Sequence, residues 1–423
     1  MYAELVGDTI VVSDVDGVYL YAQATRKVAW VREMSERVRN NLAGRGFFNP
    51  VPRSMQYCRP KRWRSLMLLL TTNCPLACRY CYARGGENNG MMSVEIAERA
   101  VTAYLRTKPD EPKVTFFGAG EPTLNARVIK HVVEKYSARI RWSVTTSGVM
   151  NTEFLRWLID HDIGVTVSMD GPPHIQNRLR PLRGGGASAP IVEQTVRVLA
   201  QVPGRTVAVR ATVTRETLQE IDRVLAYFQD LGVSTVHLEG MYSLGRALDK
   251  QEKALNPLDL PEMLQMVQEG LDWARRTSKR LKIGGLTYLL TPRNGHYCGP
   301  MSGQMMVVNH LGQLTACSEV GNQWTAGWEF FSLGRIGGQG ELIVDEERLA
   351  KCQRRIVSHM TPCRRCFARY ICRGGCAHKA WATTGDIYVP DPQYCRFVQA
   401  VVPVLLKRMV NGGGGGHRKE VKR

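Results

Sequence analysis

Apolar and polar positions along the middle of this chain switch repeatedly between a period of two and a period of 3.6. Strand-length apolar runs fall at 66–71, 114–117, 141–145, 164–168, 206–213 and 235–238. Between them lie amphipathic helical patterns at 94–105, 126–136, 153–160, 191–199 and 218–231, with a further helix over 261–280. Six strand–helix units predict an α/β fold with a parallel sheet, whose functional groups belong at the carboxyl ends of the strands. Ahead of them, 5–12 and 17–22 alternate like a hairpin around a turn at 14–17, and a helical pattern covers 31–42. Pro50, Pro52 and Pro60 mark a linker. Beyond 291 the periodicity fades. The expected division is a small hairpin–helix unit over 1–60, a strand–helix domain over 61–290, a third region over 291–402 and a flexible basic tail over 403–423.

Composition adds little until the cysteines are counted. Hydrophobic residues make up 44% and charged residues 22% of the 423 residues, as in an ordinary globular protein. The longest apolar run, around 66–70, is strand-sized, which excludes a membrane-spanning helix, and the N-terminus lacks the layout of a secretion signal. A cytoplasmic location is expected. The net charge of +19 suits an acidic partner: nucleic acid, an acidic protein or peptide, or a membrane surface. Twelve cysteines in a chain with no export signal read as metal ligands or catalysts rather than disulfides.

Directly after the first strand of the repeating region comes Cys74-Pro-Leu-Ala-Cys78-Arg-Tyr-Cys81, a CxxxCxxC spacing. Three thiolates on one loop cannot fill the four iron corners of a [4Fe–4S] cube, so one iron is left open to bind a further molecule. A structural zinc would want a fourth ligand nearby, and none follows within thirty residues. After the second strand stands Gly118-Ala119-Gly120-Glu121-Pro122. Later strand ends carry Thr145, Thr146 and Ser147, then Ser168 and Asp170, and the arginines Arg178, Arg180 and Arg183 follow.

These residues resemble the radical S-adenosylmethionine (SAM) superfamily. The resemblance covers residues 66–240 and implies a partial (β/α)6 TIM-type barrel. It further implies that Cys74, Cys78 and Cys81 hold a [4Fe–4S] cluster whose open iron chelates SAM, and that reductive cleavage of SAM gives a 5′-deoxyadenosyl radical. The GAGEP segment looks like the family's GGEP motif, which holds the SAM amino group, with Ala119 interrupting the first glycine pair. By the same resemblance Thr146, Ser147, Ser168 and Asp170 line the ribose and carboxylate, Tyr80 packs near adenine, and one of the three arginines, Arg180 among them, pairs with the carboxylate.

Eight of the twelve cysteines lie beyond residue 291. Cys298 is separated from Gly312 by thirteen residues, and Gly312 from Cys317 by four. Next comes Cys363-x2-Cys366-x5-Cys372-x3-Cys376, and finally Cys395. A zinc ribbon would need two CxxC pairs, and only one is present. Interleaved Arg364, Arg365, Arg369 and Arg373 would offset thiolate charge and tune a cluster's potential. The pattern looks like the SPASM domain appended to many radical SAM enzymes, which carries two auxiliary [4Fe–4S] clusters. That resemblance assigns Cys363, Cys366, Cys372 and Cys395 to the outer cluster, and Cys298, Cys317 and Cys376 to the inner one. Cys352, Cys58, a substrate thiol or nothing at all would complete the inner set.

Enzymes of this combined type mostly modify peptides or proteins. The resemblance therefore implies oxidative modification of a peptide or protein, foremost a thioether or carbon–carbon cross-link in a ribosomally made precursor. A basic surface would suit an acidic leader peptide and an acidic electron donor such as ferredoxin or flavodoxin. Formylglycine formation of the sulfatase-maturating kind is the nearest alternative, although Ser318 stands where that group has an Asp. RNA modification is disfavoured because no added RNA-binding motif is present.

Overall fold

The structure, a computed structural model, describes residues 1–52, 63–136, 140–249, 255–277, 281–284 and 295–412. Its contacts divide the chain into two compact units that do not follow linear order. One comprises Met1–Arg59, Thr287–Cys298 and Gln353–Arg423; the other comprises Pro60–Leu286 and Gly299–Cys352.

The first unit opens with a four-stranded antiparallel sheet in sequence order: β1 (Tyr2–Val6), β2 (Thr9–Asp14), β3 (Gly17–Ala22) and β4 (Lys27–Val31). Gly7, at φ +58, makes the turn that splits the expected first strand in two. The helical pattern expected over 31–42 is corrected. Val31 pairs with Val18 in the sheet, and the helix Glu36–Gly44 begins only where the Ser35 side chain caps Val38 N. Val11, Leu20, Ala22, Val31, Leu42 and Phe47 form the core between this sheet and helix.

The long helix Pro392–Gly412 packs on β3 and β4 in the same unit. This corrects the tail expected from residue 403, because helix continues through Gly412. Pro403 removes one backbone hydrogen bond, but burial of Val401, Val402, Leu405 and Leu406 outweighs that loss. Lys407 closes the contact as an ion pair with Asp14 and lies 5.2 Å over the Tyr19 ring. Residues 413–423 lie outside the described residues.

Among the described residues, the second unit is built on one eleven-stranded sheet. Strands β5 (Ser65–Leu69), β6 (Lys113–Phe117), β7 (Arg141–Thr146), β8 (Gly164–Ser168), β9 (Ala208–Val213) and β10 (Thr235–Gly240) run parallel in sequence order. β11 (Lys282–Gly284) adds beyond β10, and β12 (Met305–Val308) pairs parallel with β5. Antiparallel β13 (Gln313–Thr315), β14 (Ser332–Ile336) and β15 (Leu342–Val344) then extend that edge. Register pairs such as Leu66 with Val114 and Val209 with Val236 put apolar side chains opposite each other in the core.

Two of the crossover helices begin at side-chain caps, Ser93 for Val94–Arg106 and Asn151 for Thr152–Asp160. The helix expected over 218–231 is two, Arg215–Gln219 and Ile221–Asp230, because the Thr214 cap starts helix early and Glu220 leaves helical geometry. A capping box between Asp259 and Glu262 opens Leu260–Arg276, which Thr277 caps; the expected boundary at 280 lies outside the described residues.

Candidate functional site

The carboxyl ends of β5–β8 carry or lead into the expected cysteine loop, GAGEP segment, residues 145–147, and Ser168 with Asp170. β5 runs into the cysteine loop, where Cys78 is 8% exposed. Burial, the leading cause in each case, pushes the Cys74 thiol up to about 12 and the Cys78 thiol up to about 11. A metal binding Cys74 and Cys78 must therefore displace their protons.

The loop keeps its shape through contacts to other strand ends. Ala77 N donates to Pro181 O (2.8 Å), Arg79 N to Leu179 O (3.0 Å), and Arg183 N to Pro75 O (2.7 Å). Arg183 Nη2 also donates to Gly85 O at 2.5 Å. Arg246, in the turn after β10, donates through Nη1 to Cys78 O (3.0 Å) and through Nη2 to Gly85 O (2.6 Å), and its Nε pairs with Glu87 at 2.7 Å. Gly245 before it, at φ +58, is required because a Cβ there would lie 2.3 Å from Cys81 O. Arg246 was not among the residues expected from the sequence. Its place in the segment that follows the sixth predicted strand was the available signal.

The GAGEP segment after β6 packs on the residues just before Cys74. Gly120 N donates to Thr71 O (2.9 Å) and Glu121 N to Asn73 O (2.7 Å). A Cβ on Gly120 would lie 2.0 Å from Asn73 O, so only glycine permits this approach. Glu121, 1% exposed, turns its carboxylate inward. It accepts from Thr123 N (3.0 Å), Thr123 Oγ1 (2.7 Å), Thr146 Oγ1 (2.7 Å) and Ser147 N (2.6 Å). Glu121, Thr146 and Ser147 are thus brought together as a brace between the ends of β6 and β7.

Asp170 is fully buried after β8. Its carboxylate accepts from the Tyr80 hydroxyl and from Thr212 N (3.0 Å), and pairs with Arg180 Nε at 3.0 Å. Arg180 lies 5.2 Å over the Tyr80 ring, with Nη1 4.0 Å from Cys78 Sγ. Burial, foremost, holds the Tyr80 hydroxyl well above its ordinary range, so it stays a donor. Of the other arginines, Arg178 pairs with Glu216 on the surface, and Arg183 serves the loop backbone. Ser168 stands at the end of β8 opposite Arg210. Tyr82 lies within electrostatic reach of Glu319, Cys81 and Cys317, and burial is the main cause raising its hydroxyl.

In the other unit, each of Cys363, Cys366, Cys372 and Cys395 lies within electrostatic reach of the other three. Burial, then the neighbouring thiols, pushes Cys372 up to about 12; burial leads again for Cys363, at about 11. Gln399 Nε2 donates to Cys395 Sγ at 3.5 Å. Arg373 is buried, its Nη1 on His296 O (2.8 Å), two residues before Cys298. Arg369 Nη1 reaches Cys366 O (3.2 Å), whereas Arg364 and Arg365 are exposed. Cys352 is buried on the helix Glu346–Gln353 of the sheet unit, and Cys58 lies outside the described residues.

The donor set fits the groups the sequence suggested. Three thiols share one loop, and beside Cys74 the buried Asn73 Oδ1 has no donor among the described residues. An ammonium group such as that of SAM is a donor of the kind this acceptor lacks.

Comparison with known proteins agrees. Residues 68–242 match the radical SAM superfamily. PqqA peptide cyclase of Granulibacter bethesdensis is 23% identical over 345 residues, covering 77% of this chain and 86% of its own. The structure of native anSMEcpe with bound AdoMet and Cp18Cys peptide superposes with a TM-score of 0.65 at 19% identity, covering 82% of this chain and 98% of that one. Streptococcus suis SuiB bound to its precursor peptide SuiA gives a TM-score of 0.61 at 11% identity, covering 93% of this chain and 100% of that one. The match begins within β5 and runs through the cysteine loop and β6–β10, so residues 68–242 are a radical SAM domain.

Proposed function

We propose that this enzyme oxidatively modifies a peptide or protein, the favoured reaction being a thioether or carbon–carbon cross-link in a ribosomally made precursor. The observation that carries the reading is the gathering of Cys363, Cys366, Cys372 and Cys395 in a compact unit separate from the three-cysteine loop. Forming a new bond at a carbon removes two electrons from the substrate, one with the abstracted hydrogen atom and one besides. A second thiolate site supplies ligands for an electron outlet. PqqA peptide cyclase, anSMEcpe and SuiB, whose names or bound peptides point to peptide substrates, support the same direction.

Cys74, Cys78 and Cys81 would hold the cluster that binds SAM, which when bound and reduced supplies the 5′-deoxyadenosyl radical that takes the substrate hydrogen. Asn73 Oδ1 would accept from the SAM ammonium group. Arg183 and Arg246 hold the loop carbonyls, so the three thiols keep one geometry. Asp170 orients Tyr80 and Arg180 beneath Cys78. Cys363, Cys366, Cys372 and Cys395 would hold one auxiliary cluster of SPASM type, and Cys298, Cys317 and Cys376 would contribute to another, three clusters in all. The +19 charge suits an acidic ferredoxin or flavodoxin as electron donor, and an acidic leader.

Co-expression with short peptides encoded beside the gene, read by mass spectrometry, tests the reading. A peptide lighter by two hydrogen atoms, with fragmentation blocked between two linked residues, is expected. Unmodified peptides from an enzyme that cleaves SAM would move the substrate outside this class.

A further inference from the structure

Arg355 stands in none of the sequence motifs, yet it is 2% exposed. Its guanidinium is held on three backbone carbonyls: Nε on Ile387 O, Nη1 on Gly375 O (2.8 Å) and Nη2 on Gly374 O (2.8 Å). Gly374 and Gly375 are two of the three residues that join Cys372 to Cys376, so Arg355 grips the turn between a cysteine of one proposed cluster and a cysteine of the other.

The turn is built to present those carbonyls. Arg373, Gly374 and Gly375 follow one another at φ +53, +77 and +70. A Cβ on Gly374 would lie 2.5 Å from Met360 Sδ, and one on Gly375 2.9 Å from the Tyr394 ring. Arg373 then ties the turn to His296 O at 2.8 Å, near Cys298.

A buried guanidinium normally requires an anion. Among the described residues Arg355 forms no ion pair with a carboxylate; the thiols of Cys376, Cys298, Cys363 and Cys372 lie within electrostatic reach of it, as does the His296 imidazole, which supplies no negative charge. Protonated thiols leave the charge uncompensated, whereas metal-bound thiolates from both sets compensate it.

We propose that Arg355 is the shared counter-cation of the two C-terminal thiolate sites, a positioning residue that holds the Cys372–Cys376 turn and raises the reduction potential at both sites together. This rests on the reading that these cysteines hold two iron–sulfur clusters. A nearby fixed positive charge favours the reduced, more negative state of each, so its removal lowers both potentials.

The test uses the full chain carrying Cys74→Ala, Cys78→Ala and Cys81→Ala, so that only auxiliary iron remains. Iron is counted, and midpoint potentials are read by EPR-monitored titration, alone and with Arg355→Gln or Arg355→Lys. The expected result is iron for two clusters throughout, both midpoints shifted down by Arg355→Gln, and both largely restored by Arg355→Lys. A background holding iron for fewer than two clusters overturns the two-cluster reading itself. Two clusters with either midpoint unmoved in Arg355→Gln overturn the Arg355 proposal alone. Should Arg355→Gln lose its iron, Arg355→Lys decides: retained iron and midpoints support the shared charge, and their loss overturns it in favour of packing.

Discussion

Arg246 places its guanidinium Nη1 3.0 Å from the carbonyl oxygen of Cys78. A residue after the sixth parallel strand thus fixes the backbone of a cysteine that follows the first. Together with Arg183 it shares the carbonyl of Gly85, so the cysteine loop is closed from two directions before any metal arrives.

Replacing Arg246 by Met should therefore cost the metal-free protein about 1–3 kcal/mol of unfolding free energy, the range for losing charge-assisted hydrogen bonds to buried carbonyls. Denaturant unfolding measures this. Iron analysis of the reconstituted variant should show loss at the three-cysteine loop, with iron at the C-terminal cysteines unchanged.

Asp170→Asn leaves Arg180 buried opposite a neutral amide. Removing one partner of a buried ion pair costs roughly 3–5 kcal/mol, which a urea midpoint shift will register. Asp170→Asn combined with Arg180→Met should cost less than the sum of the two single changes, because the orphaned charge is then gone. Additive costs would mean that the pair does not interact.

The Lys407–Asp14 contact predicts a pH dependence. The Lys407 hydrogen bond, the largest cause, holds the Asp14 carboxyl below its ordinary 3.8. A depressed carboxylate pKa contributes stability above the unfolded value that is lost as pH falls through the folded one. The difference in melting temperature between wild type and Lys407→Met should hence be constant from pH 7 to 5 and shrink below about 4. A difference that persists undiminished at pH 2.5 would assign the effect to Lys407 packing on Tyr19.

The parallel strands were legible because each is a short apolar run set between amphipathic helices of regular spacing, as β6 and the helix Val94–Arg106 illustrate. The cysteine motifs were legible from their spacing, whereas setting Cys395 beside Cys363, Cys366 and Cys372 rested on the family resemblance. What escaped was whatever depends on contacts distant in sequence. β12–β15 are only three to five residues long, with no flanking helical pattern to mark them; β12 becomes a strand by pairing along β5, and β13, β14 and β15 by pairing in turn outward from it. Val31 read as helix because its pairing with Val18 leaves no local mark. Arg246 and Arg355 escaped because most of their partners are backbone carbonyls distant in sequence, which no side-chain pattern announces. Glu121 and Asp170 stood out at strand ends in the sequence, but the internal partners that hold their carboxylates did not.

The most direct measurement is 5′-deoxyadenosine formed by the anaerobically reconstituted, dithionite-reduced enzyme with SAM, alongside the Cys74→Ala, Cys78→Ala, Cys81→Ala variant. The account predicts product above the no-enzyme control from the wild type, and none from a variant that still retains most of its iron. No product from a wild type with intact clusters, or loss of all iron in the variant, would contradict it.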